Sequence, residues 1–393
     1  MTGPLRVHLI HQGFADYVDG LLSGLDQLGS DDVEVSVTTI ISGPASLTTL
    51  RGNHERHRVV ALPRFRDPRS AMRAGRAVGK ILQTPTDVVH WQAAGNPWVD
   101  LAFWRWIRSR RRHPAVVTVH DMQAHPDDRS VLPGTFPLIR QLARRADRLI
   151  VHAEHIRDQA IAIGADPART SILPHGELAT QYLPAERLPL PAATEPRILF
   201  FGRAQWYKGL DVAAQAMETV SRRVPDARLV VAGRGPSIDE TFPPDRPAPS
   251  WCELHRGKVP TEDVPTLFAG AAAVVLPYRE ASQSGVAALA AGFGRPVVAS
   301  RLPGLTDMVD EDVSGLLVEP GQVDALADAL IRILTDPALV ERLGRGAHER
   351  ASTVLSWRSI ADDLLGLYHE AVQVRGGGRA MHGGGTSNNE AGR

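Results

Sequence analysis

The chain has 393 residues, 43% of them hydrophobic, enough for two ordinary domains with packed cores. Its formal net charge is zero and its pI near 7.3, so the global balance gives no footing for nucleic acid or a polyacidic partner. The one cysteine, Cys252, excludes a disulfide framework and fits a reducing compartment, as a small core residue rather than a nucleophile.

The chain opens on MTGPLRVHLIHQG, which runs into a strand-like segment without a signal-peptide pattern, and no hydrophobic run approaches a membrane span. The expected location is therefore the cytoplasm. Short β-branched runs follow at 5–11, 33–40, 87–91, 115–120, 148–153 and 170–176, separated by helix-like stretches such as ADYVDGLLSGLDQL and PLIRQLARRA. The segment NHERH at 53–57 reads as loop. At 104–112 the run WRWIRSRRR sets Trp104, Trp106 and Ile107 among Arg105, Arg108, Arg110, Arg111 and Arg112. Two readings stand: a helix end with a solvated basic face, or a membrane-surface patch on the inner face.

Around 186–196 the chain turns proline-rich, as a linker would. A second series of strand-like runs begins at 197–202 and continues at 227–233, 271–278 and 295–300, again alternating with helices. The predicted fold class is α/β, with two Rossmann-like domains facing across a cleft: residues 1–185 on the acceptor side and 197–355 on the donor side. A terminal helix is predicted over 356–372. The glycine-rich remainder, 373–393, reads as a disordered tail.

The chain contains only three lysines, at 80, 208 and 258, against 41 arginines. Lys208 stands out under that bias. It lies at the start of the helix GLDVAAQAMETV, and Arg203 follows the strand ILFFG directly, so an ammonium and a planar guanidinium flank one strand end. Together they read as a diphosphate clamp. A second constellation is PYREASQSGVAALAAG: Ser284 and Gly285 offer a hydroxyl and open amides to phosphate, while Glu280 and Gln283 suit sugar hydroxyls. The structural alternative for Ser284 is an ordinary helix N-cap. From the first half come Gly13, whose bare backbone permits close approach of a ligand, and His120 with Asp121 at the end of a strand. G-x-G-x-x-G is absent, and the acidic triplet Asp310, Glu311 and Asp312 reads as a solvated turn rather than a metal site.

These motifs, in this order, give the chain a resemblance to the retaining GT-B glycosyltransferases of family 4 over nearly its whole length. FFGRAQWYKGLDVAAQA resembles the family's G-R-x(n)-K-G signature, LVVAGRGP its next strand and turn, and GRPVVASRLPGLTDMVDEDVSGLLVEP the segment that closes the active site. The resemblance implies sugar transfer from a nucleotide-diphosphate donor to an acceptor hydroxyl, with retention and without a metal or other cofactor. It implies Arg203 and Lys208 on the diphosphate, Gly13 approaching it, His120 near the reacting carbon, and the backbone after Lys258, at Val259, near the base. The acceptor stays open among a sugar, a lipid-linked intermediate and a small metabolite. One departure matters: the family's two glutamates eight apart fall on Ala281 and Leu289, with Glu280 one residue early, and Asp307 stands where a glutamate is common. That keeps two alternatives in view: an epimerase or phosphorylase of the same fold, and a nucleotide-binding partner without turnover.

Overall fold

The computed structural model describes residues 3–11, 14–29, 32–42, 57–62, 85–93, 97–109, 113–123, 134–184 and 195–380, with isolated positions at 72, 76, 79 and 83. Gly13, Lys80, Arg110 to Arg112, most of the linker and residues 381–393 lie outside this set. Two parallel sheets organise the chain. The first contains β1 (Leu5–His11), β2 (Val33–Ser42), β3 (His57–Leu62), β4 (Val88–Ala93), β5 (Ala115–Val119), β6 (Arg148–Val151) and β7 (Thr170–Ile172) in the order β3-β2-β1-β4-β5-β6-β7. Its helices are α1 (Ala15–Leu28), α2 (Pro97–Ser109), α3 (Thr135–Ala143) and α4 (Glu154–Ala162).

The second sheet contains β8 (Arg197–Arg203), β9 (Arg228–Arg234), β10 (Cys252–Arg256), β11 (Ala273–Leu276), β12 (Val297–Ser300) and β13 (Gly315–Val318), ordered β10-β9-β8-β11-β12-β13. With it go α5 (Leu210–Arg223), α6 (Pro236–Thr241), α7 (Val264–Ala269), α8 (Gly285–Gly292), α9 (Pro303–Thr306), α10 (Val323–Thr335) and α11 (Pro337–Ser352). Both orders reverse direction at one place, between β1 and β4 and between β8 and β11. Neighbouring crossovers leave to opposite faces there and open a crevice at the carboxyl ends of the strands. The two Rossmann-like domains expected from the sequence are thus present. Each has a central strand such as Val274–Leu276 buried on both sides, as a covered parallel sheet requires.

Three readings change. His57, expected in a loop, begins β3. Strand β10 is a polar edge strand, CELHR, whose half-buried pattern hides it from a search for apolar runs; Cys252 packs there against the core, and burial pushes its thiol up to about 12. The terminal helix, α12 (Trp357–Ala380), continues past 372 through Gly376, Gly377 and Gly378, since propagation from a formed helix adds one hydrogen bond per residue fixed.

Helix α12 belongs to the first domain's core. Trp357, Ile360, Leu364 and Tyr368 join Leu9, Tyr17 and Leu21 in one buried cluster, and Arg148 pairs with Glu370 at 3.1 Å. The fit depends on missing Cβ atoms. One at Gly20 would fall 2.1 Å from the Trp357 ring, and one at Gly24 would fall 2.1 Å from the Trp357 carbonyl oxygen. Backbone cannot rotate away, so Gly24→Ala is expected to lower stability by about 1–3 kcal/mol. Gly366→Ala, whose added methyl meets nothing within 4 Å, should be neutral or stabilising, and urea unfolding of the two variants checks the contrast.

Candidate functional site

The strand ends at the second sheet's switch point carry most of the residues singled out from sequence. Strand β8 ends at Arg203, which is exposed and forms no ion pair among the described residues. A 3-10 turn, Trp206–Lys208, then leads through Gly209 into α5. Gly209 has a left-handed backbone, φ 66°, and a Cβ there would lie 2.0 Å from the Pro277 carbonyl oxygen. That close approach sets the Lys208 turn directly against the residues that follow β11. The Lys208 ammonium consequently stands over the Tyr278 ring, with Nζ 5.1 Å from its centroid.

Arg279, which the sequence reading passed over, ties the two turns together. Its guanidinium donates to both Asp211 carboxylate oxygens, at 2.9 and 2.7 Å, and to the Trp206 carbonyl at 2.9 Å; its amide donates to Tyr207 at 2.7 Å. Burial works to raise the Asp211 carboxyl, and the Arg279 hydrogen bonds and charge outweigh it, holding the group below the usual carboxylate value. No sequence signal marks this pair, because 68 residues separate its members.

Ser284 is the N-cap of α8: its hydroxyl oxygen accepts the Ala287 amide at 3.2 Å, its own amide is turned to the Met308 sulfur at 3.4 Å, and its O–H remains a donor. Gly285, the first helical residue, is exposed, and the Gln283 amide oxygen is out of solvent with no partner among the described residues. Lys258 is exposed and Val259 partly buried beyond the end of β10, two strands from β8.

Between the domains lies a cleft of about 340 Å³, lined by Asp121, His155 and Gln159 on one side and Arg279, Glu280 and Ser282 on the other. Asp121 and Glu280 thus line the same cleft. His155 reaches across to Asp307, with Nδ1 and Oδ2 3.7 Å apart. His120 is different. It is 2% exposed, stacked under Phe14 with centroids 3.7 Å apart, and engaged through both ring nitrogens inside the first domain. Contact with a sugar requires Phe14 to leave that stack, a correction to the reading of His120 as a cleft residue. Phe14 is 41% exposed and has a left-handed backbone, φ 51°.

The nitrogens of His120 belong to a row along the carboxyl ends of β4 to β7. His152 Nδ1 donates to the Leu173 carbonyl at 2.8 Å, His152 Nε2 lies 3.0 Å from His120 Nδ1, and the Gln92 carboxamide lies 2.9 Å from His120 Nε2. Two neutral rings then require His120 to donate from Nδ1 to His152, and Gln92 to present its amide N–H to His120 Nε2 after a half-turn of the carboxamide. Tyr368 of α12 reaches the next member, His90, at 2.6 Å. Burial, reinforced by the neighbouring rings, drives His120 well below its usual value, and His90 and His152 down to about 3.

The acidic triplet is a turn clamped by arginines: Arg350 on Asp310, Arg301 on Glu311 and Arg332 on Asp312. Among the described residues no group of three His, Cys, Asp or Glu side chains is arranged to hold a metal ion. Nor, among the described residues, is any helix long and apolar enough to cross a membrane. Of the basic stretch 104–112, residues 110–112 lie outside the described residues. Ile107 is buried, Trp104 and Trp106 pack toward the core beside Phe103, and Arg105 and Arg108 are exposed.

Two doubly wound sheets, a cleft between the domains and a cation at the second sheet's switch point define a two-domain GT-B architecture. The chain belongs to the group 1 and family 4-like glycosyltransferases: the Glycosyl transferases group 1 family matches residues 195–336, and the Glycosyl transferase 4-like domain matches 12–176. It is 32% identical over 288 residues to the D-inositol 3-phosphate glycosyltransferase of Saccharomonospora viridis, covering 67% of this chain and 66% of that one. The Nocardia farcinica protein of the same name is 30% identical over 324 residues, 76% of this chain and 70% of that one. The chain thus spans about two thirds of the length of these curated relatives. In fold it is similar to Anabaena HepE, solved in complex with UDP and glucose, with a TM-score of 0.68 at 15% identity over 93% of this chain and 100% of that one.

The histidine row makes stability depend on pH. His90 and His152 stay neutral in the folded state down to about pH 3, whereas in the unfolded chain they take up protons near the ordinary value of about 6.5. Their contribution is therefore complete above about pH 6.5 and is lost progressively as the pH falls toward 3. Melting temperature should decline across that window. His152→Gln, which keeps an amide donor and acceptor but cannot titrate, should make the decline shallower, as scanning calorimetry at a series of pH values would record.

Proposed function

We propose that the protein transfers a sugar from a nucleotide-diphosphate donor to an acceptor hydroxyl, with retention at the anomeric carbon and without a metal. The observation that carries the reading is Lys208: an ammonium at the β8 to β11 switch point, seated over an aromatic face and paired with no carboxylate among the described residues. An unneutralised cation held there suits an anionic leaving group. Arg203, at the same strand end, adds a planar donor set for the same diphosphate.

The bond from the anomeric carbon to the departing phosphate oxygen breaks while the acceptor oxygen forms its bond on the same face of the sugar. The acceptor proton passes to the phosphate oxygen that is leaving. Lys208 and Arg203 stabilise the charge that grows on the diphosphate, which is the contribution a divalent ion would otherwise supply. Asp121 and Glu280, facing one another across the cleft, suit the hydroxyls of the donor sugar and the acceptor. The names of the inositol-phosphate relatives support a small polyol metabolite over a lipid-linked acceptor, and the inward turn of Trp104 and Trp106 supports the same choice. UDP-sugars are the first donors to test, given the UDP bound by HepE.

Calorimetric titration with UDP, GDP, ADP and dTDP, with and without magnesium, is expected to show one preferred diphosphate whose binding does not need the metal. Lys208→Ala should weaken that binding and lower kcat by roughly 10²–10³-fold if it stabilises the leaving group as an electrostatic donor does. Near-normal turnover in that variant would overturn the assignment. Binding without transfer to any polyol would favour the partner-subunit reading that the missing glutamate pair raises.

A further inference from the structure

The turns after β8 and β11 are built into one another, and Tyr278 lies where they meet. It is 2% exposed, packed among Leu276, Ala287 and Leu305, and its ring carries the Lys208 ammonium on one face. Its hydroxyl is out of solvent and has no partner among the described residues, so the protein uses the ring rather than the oxygen. The backbone on both sides is pinned to the Lys208 turn: the Pro277 carbonyl sits where a Gly209 Cβ would be, and the Arg279 amide donates to Tyr207 at 2.7 Å.

An aromatic face holds a cation in a way that a carboxylate cannot. A glutamate or aspartate beside Lys208 would fix it but cancel its charge, whereas the ring quadrupole attracts the ammonium and leaves its full charge for a ligand. Flexible lysine side chains carry considerable rotamer entropy, so a seat that restrains Nζ in advance also reduces the cost of binding.

We propose that Tyr278 is a positioning residue of the donor site, whose ring seats the Lys208 ammonium so that it meets the diphosphate already in place. This rests on the diphosphate reading above. It separates Tyr278 from the residues that touch the donor: Tyr278 acts through Lys208 alone.

The test is a double-mutant cycle read by calorimetric titration with UDP, GDP, ADP and dTDP. Tyr278→Phe keeps the ring and is expected to bind the preferred diphosphate within about twofold of the parent. Tyr278→Leu should weaken binding about five- to tenfold with Lys208 present, and should add nothing further in the Lys208→Ala background. Equal losses from Tyr278→Leu in both backgrounds would mean that the ring only fills space, and would overturn the inference while the diphosphate reading stood. Unchanged binding in Lys208→Ala itself would overturn the diphosphate reading and this inference with it. Thermal melting establishes that each variant is folded; Tyr278→Met, closer in volume to the ring, replaces the leucine variant if that one is not.

Discussion

The second domain's switch point depends on one steric constraint: the backbone at Gly209 and the carbonyl of Pro277 occupy adjoining space with no room for a side chain between them. Because these residues follow the two strands flanking the switch point, their contact brings together segments almost seventy positions apart in the chain. Everything proposed for the diphosphate follows from it. Lys208 precedes the glycine and Tyr278 follows the proline, so the ammonium and the ring are placed face to face. The Arg279 to Asp211 pair then locks the arrangement from the solvent side. A bidentate guanidinium contact is well suited to this task, since its two parallel hydrogen bonds fix orientation as well as distance.

The first domain is organised by a different principle. There the carboxyl ends of four neighbouring strands are joined by a row of buried polar rings, His90, His120 and His152, with Gln92 between them. Buried polar groups of this kind are tolerable only when each has a partner, and a row of neutral imidazoles satisfies that with a single direction of donation. Helix α12, returning from the far end of the chain, supplies the terminal hydroxyl from Tyr368 and closes the same core with Trp357. The last helix therefore bears on the geometry of the first domain, although it follows the whole of the second in sequence.

Much of the fold was legible because β-branched runs alternating with amphipathic stretches have few other stable arrangements than a covered parallel sheet. Three strands were not legible: β10 is a half-exposed edge whose side chains alternate in polarity, β3 follows a charged segment, and β13 is a run of only four residues after an acidic turn. In the candidate site, Arg203 and Lys208 were legible from composition, since a lysine among so many arginines marks a position where a compact charge is preferred. Arg279 was not, because an arginine in an arginine-rich chain carries no such mark. Ser284 shows the limit from the other side: the residue type that suits a phosphate also suits a helix cap, and only the fold shows its hydroxyl oxygen on the Ala287 amide.

The sequence by itself determined the class of fold, the two-domain division and the cations at the end of β8, because each is written in local patterns of hydrophobicity, turn residues and rare residue types. Only the tertiary structure decided that His120 is covered by Phe14, that Trp104 and Trp106 face the core, and that Tyr278 lies under Lys208. The physical reason is the same in each case. Which neighbour a side chain meets, and whether it faces water, depends on contacts between segments far apart in the chain, and no local pattern records them.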